Sequence, residues 1–95
     1  MTEARFRSQV EAEAQRLGLL WHACHDSRAC RGPKGFPDLV IAGPGGLILA
    51  ELKTQDGQTT AEQDLWLWTL DHAAMIWRPA DLEDNVIESA LRRIK

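Results

Sequence analysis

Apolar residues in the first part of the chain recur at helical spacing. Phe6, Val10, Ala14 and Leu17 follow one another in steps of four, four and three residues, which places them on one face of a helix. Gly18 comes next and is a typical helix stop. The pattern predicts an amphipathic helix over residues 2–17 that packs against a core.

Three short apolar runs predict strands at residues 19–24, 38–42 and 47–53. Gly-Pro-Gly-Gly at 43–46 separates the second run from the third, which predicts a hairpin with a four-residue loop. Neither of these two runs alternates with polar residues. We therefore expect both faces of the sheet to be covered.

The second half of the chain predicts a helix, a strand and a last helix. Thr60 and Gln63 match a capping box before an apolar stretch that extends to about His72. Residues 74–77 predict a fourth strand, which Pro79 ends. A last helix is expected from about Asp81, with an apolar stripe of Leu82, Val86, Ala90, Leu91 and Ile94. The order α-β-β-β-α-β-α indicates an α/β fold.

Composition narrows the class of protein. The chain has 95 residues, 44% of them hydrophobic and 26% charged, which fits one domain over residues 1–95. No apolar run approaches the roughly 18 residues of a membrane span, and charged residues occupy the start of the chain. A soluble intracellular protein is expected. Two cysteines, Cys24 and Cys30, are too few for a disulfide framework and are expected as reduced thiols.

The hairpin carries the most informative charges. Pairing Ala42 with Leu47 brings Asp38 opposite Glu51, where like charges about 5 Å apart are destabilising. Lys53 lies two residues beyond Glu51 and points to the same face. An isolated Glu-x-Lys is usually a solvated charge pair, but the rest of this face is apolar. Because hard divalent cations prefer carboxylate oxygens, the pair indicates a candidate Mg²⁺ or Mn²⁺ site.

These residues also carry a family resemblance. Gly35-Phe36-Pro37-Asp38 followed by Glu51-Leu52-Lys53 resembles the signature of PD-(D/E)xK nucleases in the VRR-NUC form. His25-Asp26-Ser27-Arg28, Gln63, and Trp77-Arg78-Pro79 with Asp81 are similar to that family's pattern. The order of elements matches the family's core, which implies a mixed four-stranded sheet flanked by helices. The short length resembles stand-alone phage and bacterial members.

The resemblance implies a divalent-metal-dependent endonuclease that hydrolyses DNA phosphodiester bonds. Asp38 and Glu51 would bind the metal, the main-chain carbonyl of Leu52 would add an oxygen, and Lys53 would steady the attacking water or the phosphate. The family also places an acid on the first helix, for which Glu3 is the candidate and Glu11 competes. Gln63 would lie beside the site, although its place in the capping box explains it equally well.

The resemblance further implies partners and a location. Ser27 and Arg28 would contact the DNA backbone, with loop solvation as the alternative. Stand-alone members resemble Holliday junction resolvases, so a homodimer that cuts branched or structured DNA is expected. The cytoplasm of a bacterium or of a phage-infected cell would be its location.

Other features leave alternatives open. Arg28, Arg31 and Lys34 give one loop a positive charge in a chain of net charge −3, which fits phosphate contact or a solvated loop. Zinc ligation is a further alternative, although the spacing matches no usual zinc module; its ligands would be His22, Cys24, His25 and Cys30. The whole chain could instead be a non-catalytic nucleic-acid-binding or assembly module that keeps the nuclease fold, or an unrelated interaction domain.

The helix after the capping box has two apolar stripes. Leu67 and Leu70 should face the sheet. Leu65 and Trp68 lie on the second stripe, which predicts either a partner surface or burial under the last helix.

Overall fold

The computed structural model describes residues 1–23 and 30–95 and has a mixed four-stranded sheet at its centre. The strands lie in the order of the chain: β1 Leu20–Ala23, β2 Leu39–Gly43, β3 Gly46–Leu52 and β4 Ala74–Trp77. β2 is antiparallel to β1 and β3, whereas β4 is parallel to β3. The helices are α1 Glu3–Arg16, α2 Ala61–Leu70, α3 Pro79–Glu83 and α4 Val86–Ile94. The α/β class and the mixed, helix-flanked sheet are confirmed.

One face of the sheet holds the hydrophobic core, because α1 and α4 both pack there. The Thr2 hydroxyl accepts a hydrogen bond from the Arg5 amide and caps α1, and Gly18 follows the helix with a φ of +76°. The buried residues of the two helices are Phe6, Val10 and Ala14 in α1 and Ile87, Ala90, Leu91 and Ile94 in α4. Alternate strand residues meet them, namely Leu39, Ile41, Ile48, Ala50 and Leu52. The predicted amphipathic first helix is confirmed.

The opposite face is only partly covered, by α2. Leu20 and Leu47 on this face are 77% and 50% exposed. The expectation that both faces are covered is therefore wrong at the hairpin end. The physical reason is that α2 has ten residues and lies beside β4, at the other edge of the sheet.

The hairpin has the predicted register and a shorter loop than expected. Ala42 pairs with Leu47, and Gly43 pairs with Gly46, so only Pro44 and Gly45 form the turn. The Gly45 amide donates to the Ile94 carbonyl at 2.9 Å, which ties the turn to the end of α4. A Cβ at Gly43 would lie 2.2 Å from the same carbonyl oxygen, so this close approach requires glycine.

The predicted last helix is two helices. α3 ends at Glu83 and α4 begins at Val86, with Asn85 between them in the left-handed region at a φ of +61°. The break rotates α4 about its axis relative to one continuous helix. Val86, which was expected on the apolar stripe, is therefore exposed, and Ile87 is buried in its place. The helix prediction is wrong here because an asparagine that adopts positive φ is not distinguishable from its helical neighbours by apolar spacing.

None of the helices in the described part of the chain combines the length and the apolar character that crossing a bilayer requires. The longest of them, α1, has 14 residues.

Candidate functional site

The two strand acids lie side by side where β2 begins and β3 ends. Leu39 pairs with Ala50, so the next residues outward, Asp38 and Glu51, face each other as the register predicts. Asp38 Oδ2 accepts a hydrogen bond from the Leu52 amide at 2.9 Å, which fixes one carboxylate oxygen on the backbone of β3. The Lys53 amide donates to the Trp77 carbonyl at 3.0 Å, so β4 holds the end of β3 from the other side.

Glu51 is unusual because its carboxyl group is almost completely buried. Its relative exposure is 1%, and it is the one buried polar or charged residue among the described residues. Burial raises the pKa of Glu51 to about 8, with further contributions from the charge of Asp38, a hydrogen bond with Asp38 and the charge of Glu3. The positive charge of Lys53 acts in the opposite direction and lowers this pKa. Glu51 therefore resists ionisation unless a cation joins it.

Gln63 belongs to the capping box of α2 and also contacts Glu51. Its side-chain Oε1 accepts a hydrogen bond from the Thr60 backbone N–H at 2.9 Å. The Thr60 hydroxyl accepts from the Gln63 backbone N–H at 3.2 Å, which completes the capping box. Its Nε2 donates to the two Glu51 oxygens at 3.3 and 3.4 Å. The N-terminus of α2 is thus joined directly to the buried acid.

The first helix contributes Glu3 and an arginine that the sequence reasoning missed. The charge of Glu3, at the start of α1, raises the pKa of Glu51. Arg7 lies one turn after Glu3, and its Nη2 is 3.6 Å from Glu3 Oε1 and 3.9 Å from Asp38 Oδ1. The i, i+4 spacing of Glu3 and Arg7 was a possible signal, but the approach to Asp38 depends on how α1 packs.

The loop before Asp38 is pressed against α2. Gly35 has a φ of +95°, and a Cβ there would lie 2.5 Å from the backbone carbon of Glu62. The Trp66 indole donates to the carbonyls of Pro33 and Lys34, and its ring packs edge-on against Phe36 with centroids 5.0 Å apart. The glycine of the Gly-Phe-Pro-Asp motif therefore has a steric reason, and Trp66 is a positioning residue that the sequence reasoning missed.

The Trp-Arg-Pro motif fastens the loop that follows Lys53. The Arg78 guanidinium donates to the carbonyls of Thr54, Gln55 and Gly57 at 2.7, 3.3 and 2.6 Å. The Asp81 carboxylate accepts from the Arg78 amide at 2.8 Å and begins α3. These contacts fix the chain between Lys53 and α2, so the motif supports the site without forming part of it.

The basic loop is described only in part. Arg31 and Lys34 are exposed, which suits contact with a large charged partner, whereas the predicted contacts Ser27 and Arg28 lie outside the described residues. Cys30 is disulfide-bonded, so the expectation of a reduced thiol is wrong for this residue and it offers no thiolate to zinc. Of the other imagined zinc ligands, His22 is exposed on β1, and Cys24 and His25 lie outside the described ranges.

The donor set suits a hard cation that keeps most of its water. Within residues 1–23 and 30–95, no three His, Cys, Asp or Glu side chains form a group that could hold a metal ion. Mg²⁺ is nevertheless usually held by one or two carboxylates together with water and substrate oxygens, and Asp38 and Glu51 provide two adjacent carboxylates. Comparison of the chain with protein-family models, with curated proteins and with solved structures found no match in any of the three.

Proposed function

We propose that this protein is a Mg²⁺- or Mn²⁺-dependent DNA endonuclease of the VRR-NUC type within the PD-(D/E)xK nucleases. The observation that carries the proposal is the buried Glu51 carboxyl beside Asp38, with Lys53 two residues further on. A buried acid next to a second acid costs folding free energy, and such arrangements concentrate at functional sites. A bound divalent cation would remove that cost by neutralising both carboxylates.

The oxygen donors at this site fit such a cation. Asp38 offers Oδ1 while Oδ2 is engaged by the Leu52 amide, and Glu51 has two oxygens oriented by Gln63. The Leu52 carbonyl and Glu3 complete the set of candidate ligands. Once bound, the ion would supply charge neutralisation at the phosphate and a water of lowered pKa.

The remaining residues have roles that follow from their positions. Lys53 is half-buried at the end of β3, so its ammonium group is available to a phosphate oxygen or to the attacking water. Gln63 donates to both Glu51 oxygens and so orients the carboxyl group. Arg31 and Lys34, together with Ser27 and Arg28, would hold the DNA backbone through phosphate contacts.

A net charge of −3 makes this DNA contact a local one. A protein that neutralises a few phosphates with one loop binds DNA weakly at high salt, because each phosphate contact releases a condensed counterion. We therefore expect tight binding only where the DNA shape brings several phosphates to this loop. That requirement agrees with branched or structured DNA, the substrate that the family resemblance suggests.

A cleavage assay tests the proposal. Labelled single-stranded, duplex, flap and four-way-junction DNAs are incubated with the protein and Mg²⁺ or Mn²⁺. We expect metal-dependent cleavage that falls at least about a hundredfold in Asp38→Asn and in Glu51→Gln, because each variant removes one metal-binding charge. Asp56→Asn removes an exposed carboxylate from the loop after Lys53 and is the matched control, expected to cut at the wild-type rate.

Two outcomes would reject the enzyme. DNA binding without cleavage in either metal would favour the non-catalytic nucleic-acid-binding module. If the protein binds neither DNA nor Mn²⁺, the unrelated interaction domain is favoured.

A further inference from the structure

Arg7 is the α1 cation that lies beside two of the acids, Glu3 and Asp38. Its Nη2 bridges Glu3 Oε1 and Asp38 Oδ1, at 3.6 and 3.9 Å, and its side chain is 24% exposed. Lys53 acts on Glu51. Three acids, Glu3, Asp38 and Glu51, thus interact with two cationic side chains, and Arg7 is the one that forms an ion pair with Asp38.

The contacts of Arg7 are ion pairs without hydrogen bonds. Both distances exceed the 2.7–3.2 Å of an N–H to oxygen hydrogen bond, and among the described residues the Arg7 guanidinium has no shorter polar contact. Arg16 on the same helix is different, because its guanidinium donates hydrogen bonds to Glu13 and Glu88. Within the described residues, Arg7 is therefore held at Glu3 and Asp38 by ion pairs, and leaving these two acids breaks no hydrogen bond.

We propose that Arg7 is an internal cation that a divalent metal ion displaces from Glu3 and Asp38, after which its guanidinium binds a phosphate oxygen of the substrate. The inference rests on the proposed metal-dependent nuclease and adds a substrate-binding residue to it. Asp38 Oδ1 is the oxygen that both cations need, since Oδ2 is engaged by the Leu52 amide. A planar guanidinium released beside the metal is well suited to bidentate contact with phosphate.

Displacement of Arg7 by the metal predicts that removing the arginine strengthens metal binding, whereas a structural role predicts that it weakens metal binding. If Arg7 competes with the metal, Arg7→Gln binds Mn²⁺ about three- to tenfold more tightly than the wild type, because each partly exposed ion pair it removes is a weak competitor. A residue that merely supports the site would weaken metal binding when it is removed. Isothermal titration calorimetry with Mn²⁺ alone, without DNA, measures the effect independently of activity.

Arg5→Gln is the matched control. Arg5 is exposed on α1, and only its backbone amide takes part in the Thr2 cap, so the variant makes the same change in net charge at a distance from the acids. We expect wild-type Mn²⁺ affinity in Arg5→Gln. Arg7→Lys keeps the charge and is expected to stay within about twofold of the wild type.

The phosphate step is tested with labelled four-way-junction DNA and Ca²⁺, which takes the same oxygen ligands. Adding Ca²⁺ should raise DNA affinity in the wild type by at least about threefold more than in Arg7→Gln. Equal increases in the two proteins would overturn the transfer of Arg7 to phosphate.

The metal titration separates failure of this inference from failure of the proposed function. A wild type that binds no Mn²⁺ would overturn the metal centre and the role of Arg7 together. A wild type that binds Mn²⁺, with Arg7→Gln equal to it or weaker, would overturn the role of Arg7 alone. If thermal unfolding shows that Arg7→Gln does not fold, Arg7 is a structural residue and the inference is wrong.

Discussion

At the scale of single residues, Glu51 is placed where it lowers stability. A carboxyl group that is 1% exposed and faces a second acid is disfavoured in its charged form by burial and by repulsion. Gln63 donates to it, yet a neutral amide at 3.3–3.4 Å offsets little of that cost. A buried acid that lowers the free energy of unfolding in this way is typical of functional sites.

The first prediction concerns how stability depends on pH when no metal is bound. The pKa of Glu51 rises from an ordinary value of 4.5 to about 8 on folding. Between these values the unfolded chain has lost a proton that the folded protein still holds, so the free energy of unfolding falls as pH rises. The contribution of Glu51 is at most about 1.4 kcal/mol per pH unit. Urea denaturation from pH 5 to pH 9 in the presence of EDTA measures it.

Glu51→Gln provides the comparison. The variant has no titratable group at this position, so it should lack that component of the slope and exceed the wild type in stability above neutral pH. Asp56→Asn should keep the wild-type slope. The opposite result would be an unfolding free energy that rises by the same amount from pH 5 to pH 8 in the wild type and in Glu51→Gln. It would show that Glu51 ionises freely in the folded protein.

The second prediction separates Lys53 from the metal ligands. Lys53→Ala should lose most of its cleavage activity, because the ammonium group acts on the phosphate or on water. Its Mn²⁺ affinity should remain within about threefold of the wild type, provided that calorimetry is done near pH 8.5. At lower pH the loss of the lysine charge raises the pKa of Glu51 further, and protonation would weaken metal binding indirectly. If Lys53→Ala loses Mn²⁺ affinity and cleavage rate by the same factor at pH 8.5, Lys53 acts by positioning the metal ligands.

The sequence was sufficient for the residues that belong to the hairpin. The facing of Asp38 and Glu51 follows from pairing Ala42 with Leu47, and the structure has that register. The sequence did not predict that Arg7 reaches Asp38, because the distance depends on the packing of α1 against the far side of the sheet. Local spacing determines neighbours within an element, whereas contacts between elements require the tertiary arrangement.

At the scale of elements, the junction between the Gly-Phe-Pro-Asp loop and α2 determines the geometry of the site. Gly35 touches the backbone of Glu62 and Gln63, and Trp66 holds the same loop through two carbonyls. Asp38 follows this loop and Gln63 opens α2, so the junction sets the distance between the two sides of the site. Loop and helix therefore act as one unit.

The third prediction tests this junction with two glycines that both have a positive φ, Gly32 and Gly35. Gly35→Ala and Gly32→Ala both place a side chain at positive φ, +95° and +117°, which costs about 1–2 kcal/mol. A Cβ at Gly32 meets no atom within 4 Å, whereas at Gly35 it meets the backbone at 2.5 Å. Gly35→Ala should therefore lose about a further 1–3 kcal/mol of unfolding free energy, and Mn²⁺ affinity should fall in that variant alone. Chemical denaturation and calorimetry measure both effects, and equal losses in the two variants would exclude a steric role.

The elements that apolar spacing failed to predict share a cause. The last helix is divided at Asn85, and the hairpin loop is shorter than the run of glycine and proline suggests. In both places one or two residues can adopt backbone conformations of similar energy. At the hairpin, packing against Ile94 at the end of α4 selects the conformation of the turn. Periodicity reports which face of an element is apolar, and it does not report where a residue turns left-handed.

At the scale of the whole molecule, the two faces of the sheet differ. α1 and α4 bury one face in the core, while α2 leaves the hairpin end of the other face open. Burial of Leu65 and Trp68 under the last helix is therefore wrong, because α4 lies on the opposite face of the sheet. The two side chains are 64% and 82% exposed. Adjacent large apolar side chains at that exposure, on one ridge of α2, are typical of an interaction surface.

The last prediction is that this ridge pairs two copies of the chain, as the expected homodimer requires. Trp68→Glu should convert a dimer at about tens of micromolar protein into a monomer, because a charge at the centre of an interface is buried without a partner. Trp68 is already exposed in the single chain. The variant monomer should therefore fold, and the substitution should change the folding free energy of the single chain by about 0.5 kcal/mol or less.

Val86→Glu is the matched control for that experiment, since Val86 is an exposed apolar residue, 46% exposed, on the opposite layer of the molecule. It should leave the oligomeric state unchanged in light scattering. A wild type that is monomeric at these concentrations would reject the dimer. A Val86→Glu variant that dissociates like Trp68→Glu would move the interface from α2 to the α4 layer. Because Asp38 and Glu51 lie on the face that α2 approaches, pairing through the ridge would present two metal sites related by a two-fold axis, which matches the symmetry of a four-way DNA junction.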